Sequence, residues 1–359
     1  MKITNIDSFA VNVPATNIEV RQITSTGIVK IETDEGITGY GFQAIDQQSI
    51  QKVKQMLVGQ EPFAIERYME VGLGQWPVVE HALWDIVGKV AGLPVYKLLG
   101  GYRDKILAYL TTVWPGAADQ SDYTPQQQAD VVLHYAQQGF KAVKIRAWRP
   151  DPMVDVEAVR AIRETVGGRD KMEVMIDRTA QYSGTTWDYK TALKVAKAFE
   201  ELDVTWLEEP FTRGDADDHA RLTAEVDILI TGGEGAQEMD KYCEYAAQHS
   251  FDLVQPDCTK PISKLKKIAT VAEAFGMSCI FHGGHGLTLA ASLQAGASIR
   301  SCRAQEIVFT TPSWTPQETW EPLNALVTTP QLYTIRDGYI EIPQAPGLGI
   351  PLDEKALER

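Results

Sequence analysis

The chain has 359 residues, 44% of them hydrophobic and 23% charged, which is the composition of an ordinary globular protein able to bury a sizeable core. Its formal net charge of −14 argues against nucleic-acid binding, which needs a basic footprint, and no run approaches the roughly 18 uninterrupted apolar residues of a membrane span. The opening MKITNIDSF lacks the apolar core of a secretory signal. Cys243, Cys258, Cys279 and Cys302 show no CxxC spacing, so a reducing cytoplasm is their expected home.

Residues 2–13 alternate as a strand, and GIVKIETDEGITGYGF (27–42) reads as a hairpin turning at Asp34-Glu35-Gly36. Helical periodicity follows over roughly 47–58, 62–72 and 77–91. Strands followed by helices make residues 1–105 an α+β domain. From about 106, strand-like runs alternate with helical stretches near 125–138, 154–166, 187–201, 216–225, 238–248, 262–276 and 287–298. That alternation is the mark of a parallel α/β barrel, here assigned to 106–315, and Gly139, Gly167 and Gly276 fall where helix C-caps belong. After 315 the periodicity fades. The segment 316–359, with YTIRDGYIEIP as a hairpin, is expected to pack back on the first domain.

Each apolar strand-like run in the barrel region ends on an ionisable residue. KAVKIR carries Lys144 and Arg146, EVMID ends on Asp177, and VTWLEEP holds Glu208. DILITGGE reaches Glu234, DLVQPD ends on Asp257, SCIFH on His282 and SCRAQE on Glu306. A strand, a crossover helix and two short loops need roughly 30 residues, which is the rhythm of this procession. The C-terminal ends of parallel barrel strands are where such folds place catalytic groups.

Asp177, Glu208 and Glu234 fall on three consecutive strands. Three carboxylates brought together repel one another and call for a cation, and a hard divalent ion with oxygen ligands, Mg²⁺ above all, suits them. The competing reading is that each caps a helix or pairs with an arginine. Strand parity alone leaves Glu208 and Glu209 both open as the ligand.

WLEEP, the Asp and Glu one strand to either side of it, K-x-R before them and the later Pro-Asp and His resemble the enolase superfamily, mandelate racemase/muconate lactonizing enzyme branch. EHALWDIVGKVAGLPVYKLLGG (80–101) and PGLGIPLDEKAL (346–357) extend the resemblance over essentially the whole chain. It implies a modified TIM barrel of (β/α)7β type, with an N-terminal α+β capping domain completed by the C-terminal tail. It also implies Mg²⁺ held by Asp177, Glu208 and Glu234, removal of a proton α to a carboxylate, and a homo-oligomer. The family's substrate-covering loop would come from between Val13 and Gly27, which is short here.

A proton α to a carboxylate is very weakly acidic, so the resulting enediolate must be stabilised and a base brought near the working pH. Period 2 puts Lys144 and Arg146 on one face of their strand, with Val143 and Ile145 on the other. A neighbouring cation and a dry site would lower the lysine pKa. The family motif is usually K-x-K, so Arg146 leaves two choices: Lys144 as base, or Arg146 as a substrate-positioning group with the chemistry on the other face. That other group is His282, oriented by Asp257 in an expected dyad; His285 is its rival. Glu306, Arg178 and Thr179 complete the expected substrate-binding set, Glu306 having an ion pair with Arg303 as its alternative. The dyad and the arginines favour dehydration of a sugar acid, with racemisation, epimerisation or cycloisomerisation through the same intermediate as the runner-up and a non-catalytic relative as a lesser one.

Overall fold

The computed structural model describes residues 1–13, 25–112, 123–178, 186–308 and 315–357. The chain opens with β1 (Ile3–Asn12), β2 (Ser25–Thr33) and β3 (Thr38–Gly41), which form an antiparallel sheet in that order. Gly36, with φ +77°, takes the left-handed position of the β2–β3 turn. The helices α1 (Gln47–Leu57), α2 (Ile65–Glu70), α3 (Pro77–Ala91) and α4 (Val95–Leu98) follow. Val79, Leu83 and Ile86 of α3 bury against Ile6, Val29 and Ile31 of the sheet, so this cap has a core of its own.

Barrel strand β4 (Lys105–Thr112) starts an alternation with α5 (Pro125–Gln137), β5 (Ala142–Arg146), α6 (Pro152–Val166), β6 (Glu173–Asp177), α7 (Tyr189–Glu201), β7 (Trp206–Glu208) and α8 (Ala216–Glu225). It continues through β8 (Leu229–Gly232), α9 (Met239–Gln248), β9 (Leu253–Val254), α10 (Ile262–Ala274), β10 (Ser278–Cys279), α11 (Leu289–Ala297) and β11 (Ala304–Val308). Successive strands are parallel, β10 meets β11 through a Phe281–Gln305 bridge, and β11 pairs with β4 at Ala304–Leu107. The ring is therefore closed, and among the described residues its eight strands alternate with seven α-helices, the (β/α)7β architecture. Gly139, Gly167 and Gly276 hold positive φ just beyond α5, α6 and α10, a backbone conformation that glycine adopts without a Cβ penalty.

Alternation sorts the strand side chains. Val143 and Ile145 of β5 face the helices, inside the larger core. The barrel's inner core is built from Leu107, Tyr109, Ala142, Met175, Trp206 and neighbours, and it is filled rather than open. Lys144 stands one inward step above Ala142 and 5.7 Å from the Tyr109 ring centroid, so its cation rests on a packed aromatic floor.

After α12 (Pro316–Trp320), the last hairpin, β12 (Ile335–Arg336) and β13 (Tyr339–Glu341), extends the barrel sheet: β13 runs antiparallel to β4 at its start, Ile340 opposite Ile106. This part of the 316–359 segment thus joins the barrel rather than the cap. The tail beyond it meets the cap: Gly347 O accepts from Val95 N at 2.9 Å, and Leu348 N donates to Asp85 Oδ1 at 2.8 Å. Most of the expected covering loop, and Thr179, lie outside the described residues.

Candidate active site

β5 through β8, the short β9 and β10, and β11 deliver their last residues to one mouth. Lys144 and Arg146 come from β5, and Asp177 sits in register beside Arg146. Glu208 is in register beside Asp177. Glu234 follows β8, His282 follows β10, and Glu306 lies within β11. Lys144, Arg146, Asp177, Glu208 and Glu306 are all buried.

Lys144 Nζ is the hub. It lies 2.8 Å from Glu208 Oε2, 2.9 Å from Glu306 Oε1 and 3.5 Å from Asp177 Oδ2. Burial alone would lower its pKa, but Glu208, Glu306 and Asp177 together raise it well above the ordinary lysine value. The lowering expected from Arg146 is outweighed because three anions face the ammonium and only one cation does.

Glu306 is gripped from four sides. Thr111 Oγ1 donates to Oε1, Gly283 N donates to Oε2 at 2.6 Å, and Lys144 and His282 approach one oxygen each. Burial would raise its pKa, but Lys144 and His282 hold it well below the carboxylate range. The alternative pairing with Arg303 is excluded: that guanidinium binds Glu173 at the barrel base, at 3.0 and 3.2 Å.

His282 Nδ1 lies 3.0 Å from both Glu234 Oε2 and Glu306 Oε2, an ion-pair approach without hydrogen-bond alignment to either. Burial pulls its pKa down, yet Glu306 and Glu234 raise it to about 11, so the ring is an imidazolium at neutral pH. The expected Asp257–His282 side-chain dyad does not form. Asp257 Oδ1 instead accepts from Thr259 N at 2.8 Å and Thr259 Oγ1 at 2.5 Å. β9 ends at Val254, so alternation no longer directs Asp257, and the next turn captures its carboxylate. Asp257 and His282 are instead partners in a backbone bridge, Cys258 N donating to His282 O at 2.8 Å and His282 N to Pro256 O at 2.9 Å on either side of Asp257. His285 is exposed on the loop beyond, away from the carboxylates.

The two arginines expected to bind substrate both have protein partners. Arg146 Nη1 pairs with Asp177 Oδ2, because opposite charges in register on adjacent parallel strands meet directly. Arg178, one residue past the inward Asp177, donates to Ala147 O at 2.8 Å and lies over the Trp187 ring. The Arg178 contacts tie β5 to the approach to α7.

The carboxylates fit a cation. One donor atom each of Glu208, Glu234 and His282 lies within 4.8 Å of the others, a group that contains His282 where Asp177 was expected. Asp177 is engaged by Arg146 and Lys144. Burial, then repulsion from Asp177, raises the pKa of Glu208, and burial, then Glu234, raises that of Glu209 to about 8. Acidic oxygen thus exceeds what the local cations neutralise, and a hard divalent ion matches those oxygens better than the imidazole nitrogen.

Two contributors were not foreseen: Thr111, whose register opposite Lys144 put it within reach, and Arg213, which bridges Glu234 and Glu209, the latter weighed above as a ligand. The sequence signal for the last was an arginine four residues beyond the second glutamate of EEP.

An acid–base ring at the mouth of a closed parallel barrel, under an α+β cap, defines an enzyme. Residues 6–100 match the mandelate racemase/muconate lactonizing enzyme N-terminal domain, and residues 127–356 match the enolase C-terminal domain-like family. The chain belongs to the enolase superfamily, in its mandelate racemase/muconate lactonizing enzyme branch. It is 27% identical to arabinonate dehydratase of Saccharolobus solfataricus, over 92% of this chain and 88% of that one. It is 28% identical to 3,6-anhydro-alpha-L-galactonate cycloisomerase of Streptomyces coelicolor, over 92% and 90%. A crystal structure of D-glucarate dehydratase from Agrobacterium tumefaciens, complexed with magnesium, superposes with a TM-score of 0.82 at 25% identity, covering 100% of this chain and 98% of that one.

Proposed function

We propose that the protein dehydrates a sugar acid to a 2-keto-3-deoxy acid in a Mg²⁺-dependent reaction. One observation carries the reading: Lys144 and His282 approach opposite oxygens of the buried Glu306 carboxylate. Two acid–base groups flank one position, as α-proton removal coupled to departure of a β-hydroxyl requires.

Glu208 and Glu234, with Asp177 beside them, would hold the ion. Bound there, it supplies positive charge that neutralises these carboxylates and polarises a substrate carboxylate. With part of its anionic surroundings neutralised, Lys144 would release its own ammonium proton to solvent, and as the free amine it takes the proton from the carbon next to the carboxylate. His282 gives its proton to the β-hydroxyl, which leaves as water, and the enol product tautomerises to the keto acid. Glu306 holds Lys144 and His282 at a fixed separation, and Arg146 holds Asp177. The arabinonate and D-glucarate dehydratases among the relatives support an acid-sugar substrate.

A cycloisomerase relative keeps a second reading in play, in which the same two groups drive ring opening or closure.

The test is incubation with Mg²⁺ and a panel of mono- and diacid sugars, scoring 2-keto acid as its semicarbazone and solvent deuterium at the α-carbon. Keto acid from at least one sugar acid is the expected result. Neither product nor exchange with any acid would overturn the proposal, and exchange with an isomeric product would move it to the second reading.

A further inference from the structure

We infer that Arg213 is a positioning residue for the metal site, fixing the Glu234 carboxylate so that one oxygen stays turned towards Glu208. This inference rests on the proposed assignment of Glu234 as a metal ligand.

The evidence is a socket built around one side chain. Arg213 Nε donates to Glu209 Oε2 at 2.8 Å, and Nη2 donates to Glu234 Oε1. Tyr245 Oη donates to the Arg213 carbonyl at 3.4 Å, tying that loop to α9. The stem passes over Gly235, where an added Cβ would lie 3.1 Å from Arg213 Cδ; the glycine after Glu234 leaves the space the guanidinium uses. Glu209, the other anchor, is 2% exposed and sits at φ +48°, an uncommon conformation for a side-chain-bearing residue. That backbone turn lets the second glutamate of EEP follow Glu208 and still reach Arg213.

Glu234 is thereby divided. Oε1 is engaged by Arg213, while Oε2 lies on the side of His282. A carboxylate held at one oxygen cannot rotate about its last torsion, so the other oxygen is presented without further ordering. Groups that orient metal ligands in this way typically change metal affinity by about 10- to 100-fold when removed.

A brace and a mere neighbouring charge predict opposite signs. Removing a cation close to a cation site should tighten metal binding by Coulomb's law; removing a brace should weaken it. Mn²⁺ alone, followed by its electron paramagnetic resonance signal and by calorimetry, reads binding without turnover. Arg213→Met, which keeps the stem, should weaken Mn²⁺ binding about tenfold or more, with unchanged circular dichroism. Arg213→Lys keeps charge but loses the fork that spans two carboxylates, and should fall between. Gly235→Ala, which crowds the stem and leaves every charge in place, should weaken binding severalfold and guards against misfolding of the arginine variants. Equal or tighter Mn²⁺ binding by folded Arg213→Met would overturn the inference while leaving Glu234 as a ligand. Mn²⁺ binding by wild type that survives intact in Glu234→Gln would instead remove the assignment on which it stands.

Discussion

Lys144 Nζ lies 2.9 Å from Glu306 Oε1, while the other oxygen of that carboxylate lies 3.0 Å from His282 Nδ1. The two acid–base groups are therefore joined through a single buried anion, and their roles can be separated by removing one at a time. Lys144→Ala should abolish both keto-acid formation and α-deuterium exchange, by roughly 10²-fold or more, the usual contribution of a positioned proton-transfer group. His282→Asn should lose product formation to a similar degree yet retain exchange, since Lys144 still meets the α-proton. Mass spectrometry of recovered substrate checks this. Full exchange in Lys144→Ala would reassign the base.

Glu306→Gln tests the bridge itself. Gly283 N can only donate, so the amide oxygen must face it, and the amide NH₂ then points towards Thr111 and Lys144. The threonine hydroxyl can turn to accept; the ammonium cannot. Lys144 still keeps Glu208 at 2.8 Å, so the stability loss should be modest, about 1–3 kcal/mol for a disturbed buried hydrogen bond. Turnover should drop much further than stability, which paired denaturant melts and kcat measurements resolve.

The strand-end residues were legible because parallel strands in a closed ring leave few places for an inward ionisable group except the mouth. Lys144, Asp177, Glu208, Glu234, His282 and Glu306 all follow from that rule. Their partners were not legible, because a partner is chosen by local geometry once the strand stops. Asp257 is beyond the end of β9 and turns to Thr259; Arg146 turns to Asp177 across one register step; Arg178 falls on the outward parity and meets Trp187. Cap helix α3, by contrast, is bounded as its periodicity reads, with Pro77 at its first turn and left-handed Gly92 closing it. The final hairpin was recognisable as a hairpin, but nothing in its own residues says that Ile340 pairs with Ile106.

Asp155 gives a pH-dependent stability term outside the mouth. It accepts from Arg149 Nη1 at 2.7 Å, yet burial outweighs this pairing and raises its pKa to about 6. The unfolded value is near ~3.9, so the folded state prefers the protonated acid. The stabilisation is complete below the unfolded pKa and is lost as pH rises through about 6. Its size is at most about 3 kcal/mol for a shift of some two units. Asp155→Asn should flatten stability between pH 4 and 6 relative to wild type, Arg149 keeping Gln128 Oε1 and Tyr123 O as acceptors. Urea melts at several pH values measure the slope, and an unchanged slope would refute the assignment.

The joint between cap and barrel rests on Glu80. Its carboxylate is fully buried and accepts from Ile262 N at 2.9 Å, Ser263 N at 3.0 Å and Ser263 Oγ at 2.6 Å. A residue of α3 thus caps the first turn of α10 across 182 positions of sequence, with the added benefit of a negative charge at a helix N-terminus. Trp84 Nε1, one turn along α3, donates to the same carboxylate at 2.8 Å and fixes its orientation. Glu80→Ala would leave two buried amides, a hydroxyl and an indole N–H without this acceptor, at about 1–3 kcal/mol for each one that water does not reach. The expected outcome is a loss of several kcal/mol and separation of one thermal transition into two, because each core can then melt alone. Glu80→Gln retains one acceptor oxygen and should recover part of the loss. A single, barely shifted transition in folded Glu80→Ala would show that the apolar contacts between α3 and α10 hold the two parts together without the carboxylate.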